Sequence, residues 1–215
     1  GEDTLSLHDA LPICINSTAM GVNTTASGRT STAMGLQSQA IGDNSFAVSG
    51  ATAKAQNSIA MGKGAITGSS DNSTERAIAI GENSQALADN TIAIGTGNVV
   101  SGANSGAFGD PNTVSGTGSY VFGNDNTITQ DNTFVLGNNV TTTQANSVVL
   151  GNNSTDSAAV AVAGYAGSTP VGVVSVGSVG GERQIKNVAP GAVSTSSTDA
   201  INGSQLYSVA VTLQD

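Results

Sequence analysis

Charge is scarce in this chain. Asp, Glu, Lys and Arg make up 10% of the 215 residues, and the six basic ones stand apart as Arg29, Lys54, Lys63, Arg76, Arg183 and Lys186. A nucleic-acid surface needs basic residues gathered in a stripe to gain from counterion release, so that class is excluded. The net charge of −9 comes from single Asp and Glu residues spread along the chain, which suits a solvated face better than a metal cage. One cysteine, Cys14, excludes an internal disulfide, and no CxxC pair points to zinc. No apolar run approaches the roughly 18 residues of a membrane-spanning helix. Aromatics are 3% of the chain and tryptophan is missing, a poverty that normally leaves a chain without enough apolar surface to order itself.

The regularity of what is present overturns that last inference. A phrase of the form Ser-x-Ala-x-Gly recurs about every 14 residues: STAMG at Ser17–Gly21, SIAMG at Ser58–Gly62, TIAIG at Thr91–Gly95, SYVFG at Ser119–Gly123 and SVVLG at Ser147–Gly151. Gly81, Gly95, Gly109, Gly123, Gly137 and Gly151 follow one another at steps of 14. All four Phe and all three Met fall on the second or fourth position of a phrase. A short, regular period means one small unit stacked many times rather than a domain built around a pocket.

Alternation of bulky and small residues within the phrase is the period of a strand, not of a helix. The bulky pairs are expected to form the repeat core: Ile78 and Ile80, Ile92 and Ile94, Phe108, Tyr120 and Phe122, Phe134 and Leu136, Val148 and Leu150. On that reading an aspartate at Ile80 or Ile94 is disruptive and Ser119→Ala is mild. Asn precedes the phrase at Asn16, Asn44, Asn57, Asn90, Asn104, Asn132 and Asn146, and marks corners because it tolerates positive φ. A weaker second strand lies between phrases, at Ser38–Gly42, Ser84–Ala88, Asn98–Gly102 and Asn126–Gln130. Two strands and two corners use up the period, which gives an all-β solenoid of parallel coils about 4.8 Å apart. So thin a roll favours a symmetric homo-oligomer over a monomer.

The end of the chain changes character. After Val173–Gly181 come ERQIKNVAPG (Glu182–Gly191) and STDAINGSQLY (Ser197–Tyr207). These strings, following the 14-residue phrases, resemble the head and neck of the YadA-like trimeric autotransporter adhesins. The resemblance implies a left-handed parallel β-roll head, a homotrimer, and a neck where chains cross before a coiled-coil stalk. It places Arg183, Gln184, Ile185, Asn187, Val188, Asp199, Ala200, Asn202, Gln205 and Leu206 on the neck motif and its trimer contacts. Leu206, Val209 and Leu213 have heptad spacing, with Ser204 as the expected helix cap. The expected boundaries are residues 15–164 for the head repeats, 165–205 for the neck region and 206–215 for the start of the stalk. TLSLHDALPI (Thr4–Ile13) resembles a translated sequencing adapter, so residues 1–14, with the sole histidine His8, are expected to stand outside the fold.

Function follows by elimination and resemblance. With His8 set aside there is no histidine for a Ser- or Cys-based triad, and no carboxylate pair is arranged for acid–base work, so catalysis is not expected. GDPN (Gly109–Asn112) and GNDN (Gly123–Asn126) do not recur in phase as calcium rolls require, so neither metal nor cofactor is expected. The resemblance implies a bacterial surface adhesin that attaches to extracellular matrix or host cells, or to other bacteria. A non-binding spacer is the alternative. Membrane attachment would come only through a C-terminal anchor that lies outside this sequence, as would the export signal. The step from Gly62 to Gly81 is 19 residues, and its excess, SSDNSTER at Ser69–Arg76, is either a tolerated loop or a contact site carrying Asp71, Glu75 and Arg76.

Overall fold

The computed structural model describes residues 10–69 and 73–213. Among them every phrase supplies a short strand, from Thr18–Met20 through Ile78–Ile80 and Phe134–Leu136 to Val148–Leu150. These strands and a last one at Val174–Ser175 form an eleven-stranded phrase sheet. Segments between phrases, such as Thr24–Ala26, Val99–Val100 and Asn126–Ile128, form a nine-stranded return sheet. Neighbours in each sheet are parallel and one coil apart: Ile78 pairs with Ile92, Ala79 with Ala93 and Ile80 with Ile94. The longer step leaves this register intact, since Ile59 pairs with Ile78 and Met61 with Ile80.

The corners are as the sequence indicates. Asn16, Asn44, Asn57, Asn90, Asn104, Asn132 and Asn146 all sit at φ between 52° and 57°. The phrase glycine makes the other turn and lets coils stack closely. Gly123 has φ +144°, and a Cβ there would come within 1.8 Å of the Gly137 carbonyl oxygen.

The inside of the coil differs from expectation. Its core is the third residue of each phrase, Ala33, Ala47, Ala60, Ala79, Ala93, Ala107, Val121, Val135 and Val149, facing Ala26, Ala40, Ala53, Ala86, Val100, Val114 and Ile128 of the return sheet. The first residue also points inward, with Ser31, Ser105, Ser119, Thr133 and Ser147 fully buried. Ile78, Ile80, Ile92, Ile94, Phe108, Tyr120, Phe122, Phe134, Leu136, Val148 and Leu150 therefore lie on the outer face of the phrase sheet, not in the core of their own chain. The reason is space: the two sheets lie close together, so the smaller residue of each alternating pair goes in, and Ile128 is the largest side chain inside.

Buried hydroxyls repay their desolvation by bonding along the stack. Ser119 Oγ donates to the Gln130 carbonyl at 2.8 Å and accepts from the Thr133 N–H at 3.0 Å, while Ser105 Oγ accepts from the Ser119 N–H. The mild effect first expected for Ser119→Ala is therefore revised. Removing that oxygen orphans a buried carbonyl and an N–H, and chemical denaturation should report a loss of about 1–3 kcal/mol. A loss below a few tenths would mean that water reaches the site.

Segments expected to stand outside the coil take part in it. Ala10–Pro12 pairs with Thr24–Ala26 as the first return strand. Glu75 and Arg76 are stitched into a corner: the Arg76 N–H bonds the Gln56 carbonyl at 2.8 Å, and Gln56 bridges Glu75.

Candidate interaction surfaces

The coil presents two unlike outer faces. On the phrase sheet the second and fourth positions build two columns parallel to the axis, running Ile59, Ile78, Ile92, Gly106, Tyr120, Phe134, Val148 and Met61, Ile80, Ile94, Phe108, Phe122, Leu136, Leu150. Tyr120 lies over Gly106, where a Cβ would clash with its ring at 2.8 Å. The Phe108 and Phe122 rings stack at 4.6 Å with 2° between planes, and Tyr120 stacks on Phe134 at 5.7 Å. Phe134 is 49% exposed and Leu136 60%. This is one continuous apolar stripe, far beyond the scattered single apolar residues of an ordinary surface.

The outer face of the return sheet is mostly polar. One register column reads Thr25, Gln39, Thr52, Ile66, Gln85, Val99, Thr113, Thr127 and Thr141. Thr113 and Thr127 stand beneath Thr141, an alignment that appears only once the coils are stacked.

Charged groups clip adjacent corners together. Asp43 accepts from the Arg29 N–H at 2.8 Å and from Arg29 Nε at 2.9 Å, which holds its carboxyl below the usual carboxylate range. Glu75 pairs with Arg76, whose Nε donates to Asn90 Oδ1 at 2.7 Å. Asp71, the third residue of the expected contact loop, lies outside the described residues. No group of three or more His, Cys, Asp or Glu side chains gathers to hold a metal among the described residues.

Residues 188–205, where the neck motif is expected, form one bonded unit. Gln205 Nε2 donates to the Gly191 carbonyl at 2.7 Å, and Gln205 Oε1 accepts from the Gly191 N–H at 3.1 Å. Asn202 Nδ2 donates to the Val188 carbonyl at 3.0 Å, and Asp199 accepts from the Ala192 N–H. Asn202, not Ser204, caps the helix Gly203–Thr212, in a capping box with Gln205. Asp199, Asn202, Gln205 and Val188 are thus brought together. Ala200, Ile185 and Leu206 stay exposed, as do Gln184 and Asn187, the last at φ +60°. Arg183 reaches away from this unit to the last coil. Among the described residues no helix is long and apolar enough to cross a membrane.

A parallel two-sheet solenoid with one apolar flank, followed by a bonded segment at residues 188–205 and a capped helix, is a repeat protein of the fibre-building kind. The YadA head domain repeat matches at residues 15–38, 26–48, 49–65 and 75–98, and the coiled stalk of trimeric autotransporter adhesin matches at residues 184–214. The chain is a trimeric autotransporter adhesin-like protein. Among solved structures, the C-terminal YadA-like domain of BPSL2063 from Burkholderia pseudomallei is similar at 35% identity and a TM-score of 0.37, covering 48% of this chain and 50% of that one. The chain thus spans about half the length of that structure. No curated protein matches it. Head and stalk families of this type are structural rather than enzymatic.

Proposed function

We propose that three copies of this chain pack the apolar stripes of their phrase sheets around a common axis, and that the resulting rod serves as the head of a bacterial surface adhesin. One observation carries the reading: the bulkiest residues of the repeat stand in two columns on the outside of their own coil, with the Tyr120 ring lying over the gap at Gly106. Burying a large aliphatic or aromatic side chain contributes about 1.5–3 kcal/mol, so a stripe of this length strongly favours a partner surface. A second copy of the same stripe matches it rung for rung, and the capped helix beyond the neck continues toward a stalk. What remains outward is the return sheet and its corners, polar and repeated, suited to many weak contacts with matrix or cell surfaces that gain through avidity. The parent protein is then anchored in the outer membrane by a part outside this sequence.

The head with a trimeric coiled coil fused in register after Asp215 is expected to sediment as a trimer and to bind matrix-coated plates or neighbouring bacteria. The unfused chain should associate only weakly, since its helix is short. A stable dimer would overturn the assembly. A stable trimer that bound neither matrix nor cells would leave the rod as a spacer. Removing residues 69–73 restores the step of 14, because Gly62 to Gly81 shortens from 19 by five, and it leaves the Thr74–Arg76 corner in place. Lost binding in that variant would assign contact to the longer step, and unchanged binding would assign it to the repeated faces.

A further inference from the structure

The last full coil of a solenoid has a difficulty that inner coils lack: its upward-facing acceptors have no next coil to donate to them. In the inner coils three such acceptors recur. The fourth-position carbonyl takes the following phrase glycine's N–H, as Leu136 O takes that of Gly151 at 2.7 Å. The carbonyl after the phrase glycine takes an N–H of the following corner, as Asn124 O takes that of Asn139 and Asn138 O that of Asn153, both at 3.0 Å. The buried polar side chain of the return strand takes another, as Ser38 Oγ does from Gly50 and Asn126 Oδ1 from Val140.

At the C-terminal end one side chain meets all three. Arg183 Nη2 donates to the Asn152 carbonyl at 2.7 Å, and Nη1 donates to Ser154 Oγ and to the Val176 carbonyl, each at 2.8 Å. Asn152 lies one period beyond Asn138, Ser154 is two periods beyond Asn126, and Val176 follows Val174–Ser175, the strand that pairs with Val148 and Val149. The space agrees as well. A Cβ on Gly137 would meet the Gly151 carbonyl at 2.5 Å, whereas a Cβ on Gly151 would meet Arg183 Cζ at 2.8 Å.

We propose that the Arg183 side chain is a surrogate corner that closes the C-terminal end of the solenoid and clips the neck to it. A planar guanidinium with diverging N–H groups can serve three acceptors set around one opening, while a lysine ammonium is a point donor on a flexible stem. The turn ahead of it is fixed, because Glu182 accepts from the Gly180 N–H at 2.9 Å. The clip ties the chain to the coil only a few residues ahead of the bonded Val188–Gln205 unit.

Amide exchange on the full chain tests this. Arg183→Gln should lower protection of the amides at 152–155 and 174–177 by about tenfold or more, with coils before Gly123 unchanged. Arg183→Lys should recover only part of it, and Lys186→Gln, a change at the neighbouring neck cation, should leave protection intact. Unchanged protection in Arg183→Gln, or an equal fall in Lys186→Gln, would overturn the assignment. Should Arg183→Gln fail to fold, nitrogen-resolved spectra of the parent decide. Hindered guanidinium rotation at Arg183 supports the clip, and one averaged signal refutes it. None of these readouts depends on adhesion or on the number of chains.

Discussion

Val121→Asp is expected to abolish the coil. Val121 is fully buried between Ala107 and Val135 in the phrase sheet, in the core that Val114 and Ile128 line from the return sheet. The cost of burying a carboxylate in that apolar layer, at least about 4 kcal/mol, is of the order of a small domain's whole stability. Far-UV circular dichroism should lose its β signature and its cooperative melt. Ile94→Asp is the matched comparison, one position beyond the buried Ala93 on the outer face. The single chain should tolerate it within about 1 kcal/mol, while sedimentation of the stalk-fused form should show the three heads no longer closing together. Equal damage to the isolated coil from both changes would mean that the small residues are not the interior.

The second large effect concerns a polar feature of that interior. Asn98, Asn112 and Asn126 stack in a buried ladder: Asn112 Nδ2 donates to Asn98 Oδ1 at 2.9 Å, and Asn126 Nδ2 donates to Asn112 Oδ1 at 2.8 Å. Asn112 also donates to the Gly123 carbonyl at 2.7 Å and accepts from the Asn126 N–H. Asn112→Leu keeps the volume but strands Asn98 Oδ1, the Gly123 carbonyl and the Asn126 N–H. A loss of about 2–4 kcal/mol is expected, read as a lower urea midpoint at unchanged slope. A double-mutant cycle with Asn126 should show coupling, because the two share one network. Additive losses would mean that each side chain bonds only its own backbone.

Much of this architecture is legible in the chain. The step of 14 gives the coil, period-two alternation gives the phrase strand, and Asn16 through Asn146 mark the corners because few other residues accept positive φ. Inside and outside are harder. Alternation says that two faces differ without saying which is buried, and bulk alone points to the wrong one at Ile78, Ile80, Ile92, Ile94, Phe134 and Leu136. A signal for the right choice is present: the third residue is always Ala or Val and the fifth is Gly in every copy but Ser45–Ser49, which describes a narrow gap on the phrase side. The asparagine ladder was hidden for another reason. Asn98 and Asn126 open segments that read as the weaker strand, Asn112 sits in the turn-like GDPN, and only stacking reveals that all three side chains are buried together. Ser204 is the more obvious cap by residue type, but Asn202 with Gln205 three residues later is the pair a capping box requires.

The filling of the coil is not uniform along its axis. Ala33, Ala47, Ala60, Ala79 and Ala93 give way to Val121, Val135 and Val149 on the phrase side, and Ala26, Ala40, Ala53 and Ala86 to Val100, Val114, Ile128 and Val140 on the other. Each exchange of alanine for valine adds apolar volume equivalent to about two methylenes, or about 1.6 kcal/mol per rung side. Because each coil touches only its neighbours, those increments are local. A rod gripped at the neck and pulled from its far end therefore peels from the tip inward. It sheds its alanine turns as sacrificial length while the valine-filled turns nearest the grip stay closed.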